Sequence, residues 1–216
     1  MNLFDPSPKS ALEFLPSRHD LASLRAAAKD CHGCDLYREA TQVVFGEGAA
    51  HSAILMVGEQ PGDSEDRQGK PFVGPAGQLL AKCLESAGID RAEVYVTNAV
   101  KHFKWEPRGK IRLHKKPNSL EIAACRPWLE MEIAAVHPQI IVCLGATAAQ
   151  DLLGPQFRLT KHRGEVFPTR YGPVTATIHP SAILRMPEPD AKETEIASLA
   201  DDLRVAAGYA SARRVR

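Results

Sequence analysis

The stretch AILMVGEQPGDSEDRQGKPFVG (residues 53–74) joins an apolar run to a long loop rich in glycine, proline and carboxylates. The run AILMVG (53–58) is typical of a strand that is buried on both faces of a parallel sheet. The loop lacks both the Gly-Lys-Ser/Thr of a phosphate loop and the GxGxxG of a dinucleotide-binding turn. The stretch therefore predicts a functional loop at the carboxyl edge of a sheet that is neither of these common nucleotide sites.

Further strands and helices alternate on both sides of this stretch. EVYVTN (93–98) and QIIVCLG (139–145) predict two more buried strands, and GEVF and VTATI predict two shorter ones. Start signals predict helices at Asp20, Pro75, Asn118 and Ala146, and a last helix at about residues 190–207. This alternation indicates an α/β fold with a parallel sheet that is covered by helices.

The composition is that of a single globular domain. The 216 residues are 44% hydrophobic and 25% charged, which excludes a disordered chain, and no apolar run is long enough to span a membrane. Because the N-terminus carries no secretion signal, we expect a cytoplasmic protein. We also expect a monomer without a membrane partner. Residues 1–17 are predicted to be a poorly ordered lead-in to one domain at residues 18–210.

The net charge of +1 is unevenly distributed along the chain. Between residues 101 and 126, eight Lys or Arg are set against two Glu, which gives this segment +6 and leaves −5 elsewhere. Most of the cations lie in a basic loop (residues 101–117) that contains RGKIRLHKKP (108–117), with the nucleophilic His114 among them. Such a run attracts a polyanion. A merely solvated loop explains the cations equally well, but it does not explain the histidine.

Five cysteines in a reducing compartment favour core packing or metal binding over disulfides. Cys83 lies in an apolar helix and Cys143 in an apolar strand, and both are predicted to be core residues. Cys31 and Cys34 form a CxxC pair after the first helix, and Cys125 is a third thiol in a polar setting. Zinc, an iron–sulfur cluster and coincidence remain open, with His102 as a candidate fourth ligand. A redox dithiol fits less well because the pair follows a helix.

Four segments, in order along the chain, resemble the motifs of the family 4 branch of uracil-DNA glycosylases. They are VGEQPGDSEDRQGKPFVGPAGQLL, VYVTNAVKH, IIVCLGATAA and TIHPSAILR, and the resemblance covers roughly residues 30–207. GEQPG in the first segment and a basic insertion that ends in histidine are similar to the X-type group of that branch. The insertion is usually Lys-Arg-Arg-Ile-His in that group and is KIRLH (110–114) here.

The resemblance implies a three-layer α/β/α sandwich with a four-stranded parallel central sheet. It also implies a four-iron, four-sulfur (4Fe-4S) cluster held by Cys31, Cys34 and Cys125. The family's fourth ligand is a cysteine, and this chain has His102 at that position. We expect His102 to coordinate the cluster; the alternative is a three-ligated, labile cluster. The cluster would cross-link loops that lie beside the DNA and would have no redox role.

The resemblance further implies a pocket for uracil in single-stranded DNA or for a base extruded from a duplex. Phe72 would stack on uracil, and Asn98 would read its edge because an amide both donates and accepts. Core packing and a strand-end turn are the structural alternatives for these two residues. His179 would donate to uracil O2 as negative charge develops there. Ser181, in the turn that follows, would hold a phosphate.

The resemblance also assigns carboxylates, an amide and an aromatic ring to the site. Glu59 and Asp63 would position or deprotonate water and stabilise the cationic sugar, and Gln60 would shape the pocket. Trp105 or Phe103 would stack on an unpaired base.

His114 is the residue to which the X-type resemblance assigns capture of the product. Neutral imidazole is a good nucleophile near pH 7 because its ordinary pKa is about 6.5, and neighbouring cations favour the neutral form. We therefore predict that His114 attacks C1′ of the sugar, that Glu59 accepts its proton, and that a long-lived covalent adduct results. Lys110 and Arg112 would hold the loop against phosphate, whereas Ile111, in place of arginine, loses one such contact.

Two alternatives remain open at this point. The protein is an ordinary turnover uracil-DNA glycosylase if His114 only contacts phosphate. It is a metal-stapled nucleic-acid-binding module if it performs no chemistry, but that function leaves Glu59, Asn98 and His179 unexplained.

Overall fold

The computed structural model describes residues 10–214. The strands are β1 (Ile54–Gly58), β2 (Val94–Asn98), β3 (Trp105–Arg108), β4 (Ile111–His114), β5 (Ile140–Leu144), β6 (Val166–Thr169) and β7 (Gly172–Thr177). The α-helices are α1 (Leu21–Ala28), α2 (Asp63–Gln68), α3 (Pro75–Ser86), α4 (Ser119–Val136), α5 (Ala146–Leu153), α6 (Leu159–His162), α7 (Pro180–Leu184) and α8 (Pro189–Arg214). Short 3-10 helices occupy Ala11–Phe14, Asp35–Arg38 and Arg91–Glu93. No helix within residues 10–214 combines the length and the apolar character that a membrane crossing requires.

Five strands form the central sheet in the order β2-β1-β5-β7-β6. The first four are parallel, as the sequence predicted. β6 is a fifth strand that pairs antiparallel with β7 at the edge. Only two residues separate β6 from β7, and so short a connection permits antiparallel pairing alone. The predicted four-stranded parallel sheet is therefore the larger part of a five-stranded mixed sheet.

Helices cover both faces of the sheet and produce the predicted three-layer α/β/α sandwich. Side chains alternate along β1, so that Met56 packs in a core with α3 and α8 while Leu55 packs in a core with α4 and α5. Cys83 lies in the first core and Cys143 in the second, and both are buried as predicted.

Capping hydrogen bonds are present at two of the helix starts that the sequence predicted. The Asp20 carboxylate accepts from Ser23 N at 2.9 Å and caps α1. Asn118 and Glu121 form the reciprocal capping box of α4, each side chain accepting from the other's backbone N–H. These local signals place α4, which carries Cys125, where the sequence predicted it.

The predicted lead-in is partly ordered. Residues 1–9 lie outside the described residues. Residues 11–14 form a 3-10 helix because Ala11 is buried in a small cluster with Cys31 and Cys34, and Phe14 packs against the His32 ring. The ordered domain therefore begins closer to the N-terminus than residue 18.

The basic loop is folded rather than irregular. β3 and β4 form an antiparallel hairpin in which Trp105 is opposite His114 and Arg108 is opposite Ile111. Gly109 in the turn has φ +62°, a left-handed backbone that glycine adopts without strain. The hairpin places His114 at the end of β4, beside the carboxyl edge of the central sheet.

The carboxyl ends of four neighbouring strands meet at that edge. Glu59 directly follows β1, Asn98 ends β2, Gly145 follows β5, and His179 lies two residues beyond β7. Because the strands are parallel, these residues from distant parts of the sequence come together at one edge of the sheet.

Candidate active site

A cavity of about 660 Å³ opens at the carboxyl edge of the sheet. It is lined by seven of the twelve residues that the sequence assigned to catalysis or DNA contact: Glu59, Gln60, Phe72, Asn98, His114, His179 and Ser181. The other five, Asp63, Phe103, Trp105, Lys110 and Arg112, do not line the cavity. Its volume is suited to a ligand of the size of a nucleobase with its sugar.

The floor of the cavity is formed by Phe72 and Asn98. The Phe72 ring lies 6.2 Å from the His179 ring at an interplanar angle of 28°, and its backbone has φ +57°. Asn98 is only 2% exposed. A Cβ on Gly58 would lie 2.3 Å from Asn98 Oδ1 and 2.9 Å from the Phe72 ring, so glycine at the end of β1 permits this arrangement.

A buried ion pair holds the strand end beneath Asn98. Lys101 Nζ donates to the backbone oxygen of Asn98 at 2.7 Å and to Thr97 Oγ1 at 2.7 Å, and it forms a salt bridge with Glu132. Glu132 Oε1 also accepts from the Tyr95 hydroxyl at 2.9 Å. Both charged side chains are almost fully excluded from solvent, and the network supplies each with several partners. The hydrogen bond from Lys101 therefore fixes the backbone of the residue that carries the Asn98 amide.

His179 is held in the tautomer that donates into the cavity. Ser181 N donates to His179 Nδ1 at 3.1 Å, so that nitrogen is the acceptor and the neutral ring carries its proton on Nε2. Burial lowers the pKa of His179 to about 4, with Arg185 and His114 adding repulsion. The ring is therefore neutral at pH 7. The Ser181 hydroxyl lies 2.8 Å from the same Nδ1 and helps to orient His179; its contact with a phosphate stays a prediction.

His114 lies over the cavity beside a carboxylate. Its Nε2 is 3.6 Å from Glu59 Oε1, and the Thr147 hydroxyl donates to Glu59 Oε2. Burial lowers the pKa of His114. The charge of Arg185 lowers this pKa further, whereas the charge of Glu59 raises it. Since half of the His114 side chain is exposed (51%), the ring is accessible to a ligand that enters the cavity.

Gln60 secures both ends of the hairpin that carries His114. Its Nε2 donates to the backbone oxygens of Lys104 and Lys115, each at 3.1 Å, and its Oε1 accepts from Lys104 N at 3.1 Å. One side chain therefore joins the residue before β3 to the residue after β4. Gln60 lines the cavity, as predicted, and its contacts also fix the position of the hairpin.

Arg112 has a structural role that differs from the predicted phosphate contact. Its Nε lies 2.5 Å from Asp63 Oδ1 and its Nη1 lies 2.5 Å from Asp66 Oδ2, and only 13% of the side chain is exposed. Arg112 therefore clamps the hairpin onto α2. Asp63 also pairs with Arg67, and these hydrogen bonds lower its pKa. Asp63 thus pairs with both arginines and does not line the cavity; its action on water stays a prediction.

The two aromatic residues predicted to stack on DNA bases are engaged within the protein. Phe103 is 1% exposed, and the Arg112 guanidinium lies 5.4 Å from its ring and 5.4 Å from the Trp105 ring. Trp105 Nε1 donates to the backbone oxygen of Glu39 at 2.8 Å. Both rings support Arg112; Phe103 is buried, whereas Trp105 is only half-buried.

Two residues of the site were missed in the sequence. Thr147, on the first turn of α5, donates to Glu59, and Arg185 is an exposed cation that lines the cavity. The charge of Arg185 lowers the pKa of both His114 and His179. The sequence did contain a signal for both residues. Thr147 lies within the segment IIVCLGATAA and Arg185 within TIHPSAILR, two of the segments that resemble the family motifs.

The three candidate thiol ligands share one small buried cluster. Cys31, Cys34 and Cys125 pack together with Trp128, whose Nε1 donates to Cys31 Sγ at 3.2 Å. Lys101 N donates to Cys125 Sγ at 3.3 Å. Burial raises the pKa of Cys34 to about 11 and also raises the pKa of Cys125. Neutral thiols are therefore favoured unless a cation compensates the thiolate charge.

His102 directly follows Lys101, whose backbone N–H donates to Cys125 Sγ. His102 is 6% exposed, and burial lowers its pKa to about 4, with a nearby Asp66 opposing and His32 reinforcing that change. The ring is neutral at pH 7, which is the form that binds metals. Within residues 10–214, no group of three or more His, Cys, Asp and Glu side chains is already arranged around a metal position.

Known proteins resemble this chain over most of its length. The model of the uracil DNA glycosylase superfamily matches residues 45–204. A type-4 uracil-DNA glycosylase of Pyrobaculum aerophilum is 37% identical over 176 residues, which cover 78% of this chain and 86% of that protein. The Thermotoga maritima type-4 uracil-DNA glycosylase is 41% identical over 159 residues (73% and 79%). The one from Archaeoglobus fulgidus is 37% identical over 166 residues (73% and 80%).

Proposed function

Because the chain belongs to the uracil DNA glycosylase superfamily, we propose that it excises uracil from DNA and then captures the abasic sugar through His114. The observation that carries capture is the position of the His114 ring, half exposed at the cavity and 3.6 Å from Glu59. The substrate is uracil in a single strand or a base extruded from a duplex, because a stacked base cannot reach such a cavity.

Excision separates charge between uracil and the sugar. Phe72 would stack on the base, and the buried Asn98 amide would donate and accept along its edge. As the C1′–N1 bond breaks, its electron pair leaves with uracil, and His179 Nε2–H would donate to the oxygen on which negative charge builds. Removing one such donor costs roughly a hundredfold or more in rate.

Capture follows if imidazole reaches C1′ before water does. The lone pair of one neutral ring nitrogen of His114 forms the bond to C1′ of the oxocarbenium-like sugar. The proton on the other ring nitrogen then passes to Glu59, which leaves an uncharged N-glycosidic imidazole. This product lacks an easy leaving group, so the protein stays attached and turns over only once.

We also propose a 4Fe-4S cluster bound by Cys31, Cys34, Cys125 and His102. Three thiols in one buried cluster and an imidazole that stays neutral at pH 7 are a donor set that suits iron–sulfur chemistry. When bound, the cluster would cross-link the segments that carry these ligands and would stabilise the thiolate charges. Uracil excision and capture are assigned to the cavity residues and do not require it.

A denaturing gel tests capture. The protein is mixed with uracil-containing single-stranded DNA, and we expect a protein band shifted by the mass of the oligonucleotide. His114→Ala should abolish the shift while uracil release continues. Unshifted protein with free abasic DNA from the wild type would establish ordinary turnover instead. Absence of uracil release would favour the non-catalytic binding module.

Colour and iron content test the cluster. Anaerobically purified protein should be brown, absorb toward the blue end of the visible spectrum and contain about four irons per chain. Cys125→Ser should lose the colour, whereas His102→Cys should retain it. Colourless protein that contains zinc, or no metal, would refute the iron–sulfur proposal.

A further inference from the structure

One residue, Lys101, contacts both the candidate uracil pocket and the candidate thiol ligands. Its backbone N–H donates to Cys125 Sγ at 3.3 Å. Its ammonium donates to the backbone oxygen of Asn98 at 2.7 Å and forms a salt bridge with Glu132. The main chain of Lys101 therefore lies at one site, and the end of its side chain lies beneath the other.

The chain between the two sites is short and closely packed. Asn98 ends β2, and His102, the proposed fourth ligand, follows only four residues later. Residues 99–102 are all buried. Within them, Val100 N donates to the backbone oxygen of Glu59 at 3.2 Å. A displacement of His102 would therefore be passed to the residues that line the cavity, because the segment that joins them is packed on all sides.

Helix α4 provides a second connection. Cys125 and Glu132 are seven residues apart on this helix, so two turns bring them to the same face. The Thr97 hydroxyl, next to Asn98 in β2, donates to Glu132 Oε2 at 2.9 Å. Because a buried carboxylate without its cation is strongly unfavourable, the ion pair with Lys101 holds this face of α4 against the end of β2.

We propose that Lys101 is a positioning residue that couples the candidate iron–sulfur site to uracil recognition. Cys125 and His102, once they hold a cluster, would fix the main chain at Lys101, and its ammonium would keep Asn98 where the amide reads uracil. The chemistry stays with the cavity residues, and the coupling sets how selectively uracil is held. Linked sites of this kind change affinity by roughly tenfold. The inference rests on the proposed uracil excision and on the proposed cluster.

Equilibrium binding tests the coupling without measuring activity. The probe is a labelled single strand with one 2′-fluorinated deoxyuridine, which resists excision, and its partner carries 2′-fluorinated deoxycytidine at the same position. Cytosine presents the opposite pattern of donors and acceptors to an amide, so the ratio of the two Kd values reports base reading and cancels phosphate contacts. Fluorescence anisotropy gives both Kd values, and iron analysis gives the cluster content of each sample.

The decisive variant is Lys101→Met combined with Glu132→Gln. It removes both buried charges together, so neither is left unpaired, and it keeps the backbone N–H that donates to Cys125. We expect it to retain iron and to lose roughly tenfold of the preference for uracil. Wild-type protein from which a chelator has removed the iron should lose the same factor, and removing iron from the variant should cause no further loss.

The matched control is Glu130→Gln, which neutralises another carboxylate of α4. Glu130 pairs with Arg170 and accepts from the Tyr171 hydroxyl, so this variant should keep both the iron and the wild-type preference. Circular dichroism checks that every sample is folded. If the double variant does not fold, the comparison of iron-loaded with iron-free wild type decides, and equal preferences there would refute the coupling.

The outcomes separate this inference from the proposals on which it rests. A double variant that prefers uracil as strongly as the wild type would show that Lys101 does not position Asn98. A preference lost in the double variant but kept by iron-free wild type would leave Lys101 as a support for Asn98 and refute the coupling. Wild-type protein without iron would refute the cluster, and wild-type protein that releases no uracil would refute the proposed function; the coupling would fall with either.

Discussion

His114 Nε2 faces Glu59 Oε1 at 3.6 Å, while the second oxygen of the same carboxylate accepts from the Thr147 hydroxyl. The carboxylate is thus oriented by α5 and presents its free oxygen to a ring carried by a separate hairpin. This arrangement places a proton acceptor, Glu59, next to the candidate nucleophile, His114.

Glu59→Gln should slow adduct formation by roughly a hundredfold, because the amide preserves the shape of the site but cannot accept a proton from imidazole. The rate is measured as the appearance of the shifted band under single-turnover conditions. Adduct formation should also decline as the pH is lowered through the pKa of His114, which lies below its ordinary value of 6.5. An unchanged rate in Glu59→Gln would remove Glu59 from the capture step.

Arg112 and Lys110 should respond differently to salt. Lys110 is exposed near the hairpin turn, so Lys110→Ala should reduce the slope of log K against log salt by about 0.7 on single-stranded DNA. Arg112→Ala should leave that slope unchanged, because Arg112 is occupied by Asp63 and Asp66. It should instead lower the free energy of unfolding by about 3 kcal/mol, since Asp66 is buried. A slope change in Arg112→Ala equal to that in Lys110→Ala would show that the clamp opens on DNA.

The sequence predicted the features that depend on local chemistry. Buried apolar runs became parallel strands, and the residues immediately after them became the cavity lining. What it could not predict was which side chains pair across long separations. Arg112 contacts Asp63, 49 residues away, and no local pattern distinguishes a cation clamped to a helix from one that faces phosphate. The contact between the Ser181 hydroxyl and His179 Nδ1 was likewise not predictable, because only the geometry shows it.

His179 should make the folded protein less stable as the pH falls from about 6.5 to about 4. In that interval the unfolded chain, with an ordinary histidine pKa of 6.5, binds a proton that the folded ring, with a pKa of about 4, does not. Above pH 6.5 this residue contributes no pH dependence. His179→Asn should therefore show a smaller slope of unfolding free energy against pH, measured by urea denaturation at a series of pH values. Equal slopes would mean that the wild-type ring protonates in the folded state.

Gly58→Ala should impair catalysis without unfolding the protein. The added Cβ would lie 2.3 Å from Asn98 Oδ1 and 2.9 Å from the Phe72 ring, so the uracil-reading amide and the stacking ring must both shift. Displacement of binding groups by about 1 Å costs roughly a hundredfold, and we expect a loss of that size in the single-turnover rate of uracil release.

The matched control is Gly208→Ala. A Cβ at Gly208, within α8, meets no atom within 4 Å, so alanine there should keep full activity and add about 0.5–1 kcal/mol of stability because it loses less backbone entropy. Circular dichroism melting checks that both variants are folded. If Gly58→Ala excised uracil as fast as Gly208→Ala, the pocket assigned to Phe72 and Asn98 would not be where uracil binds.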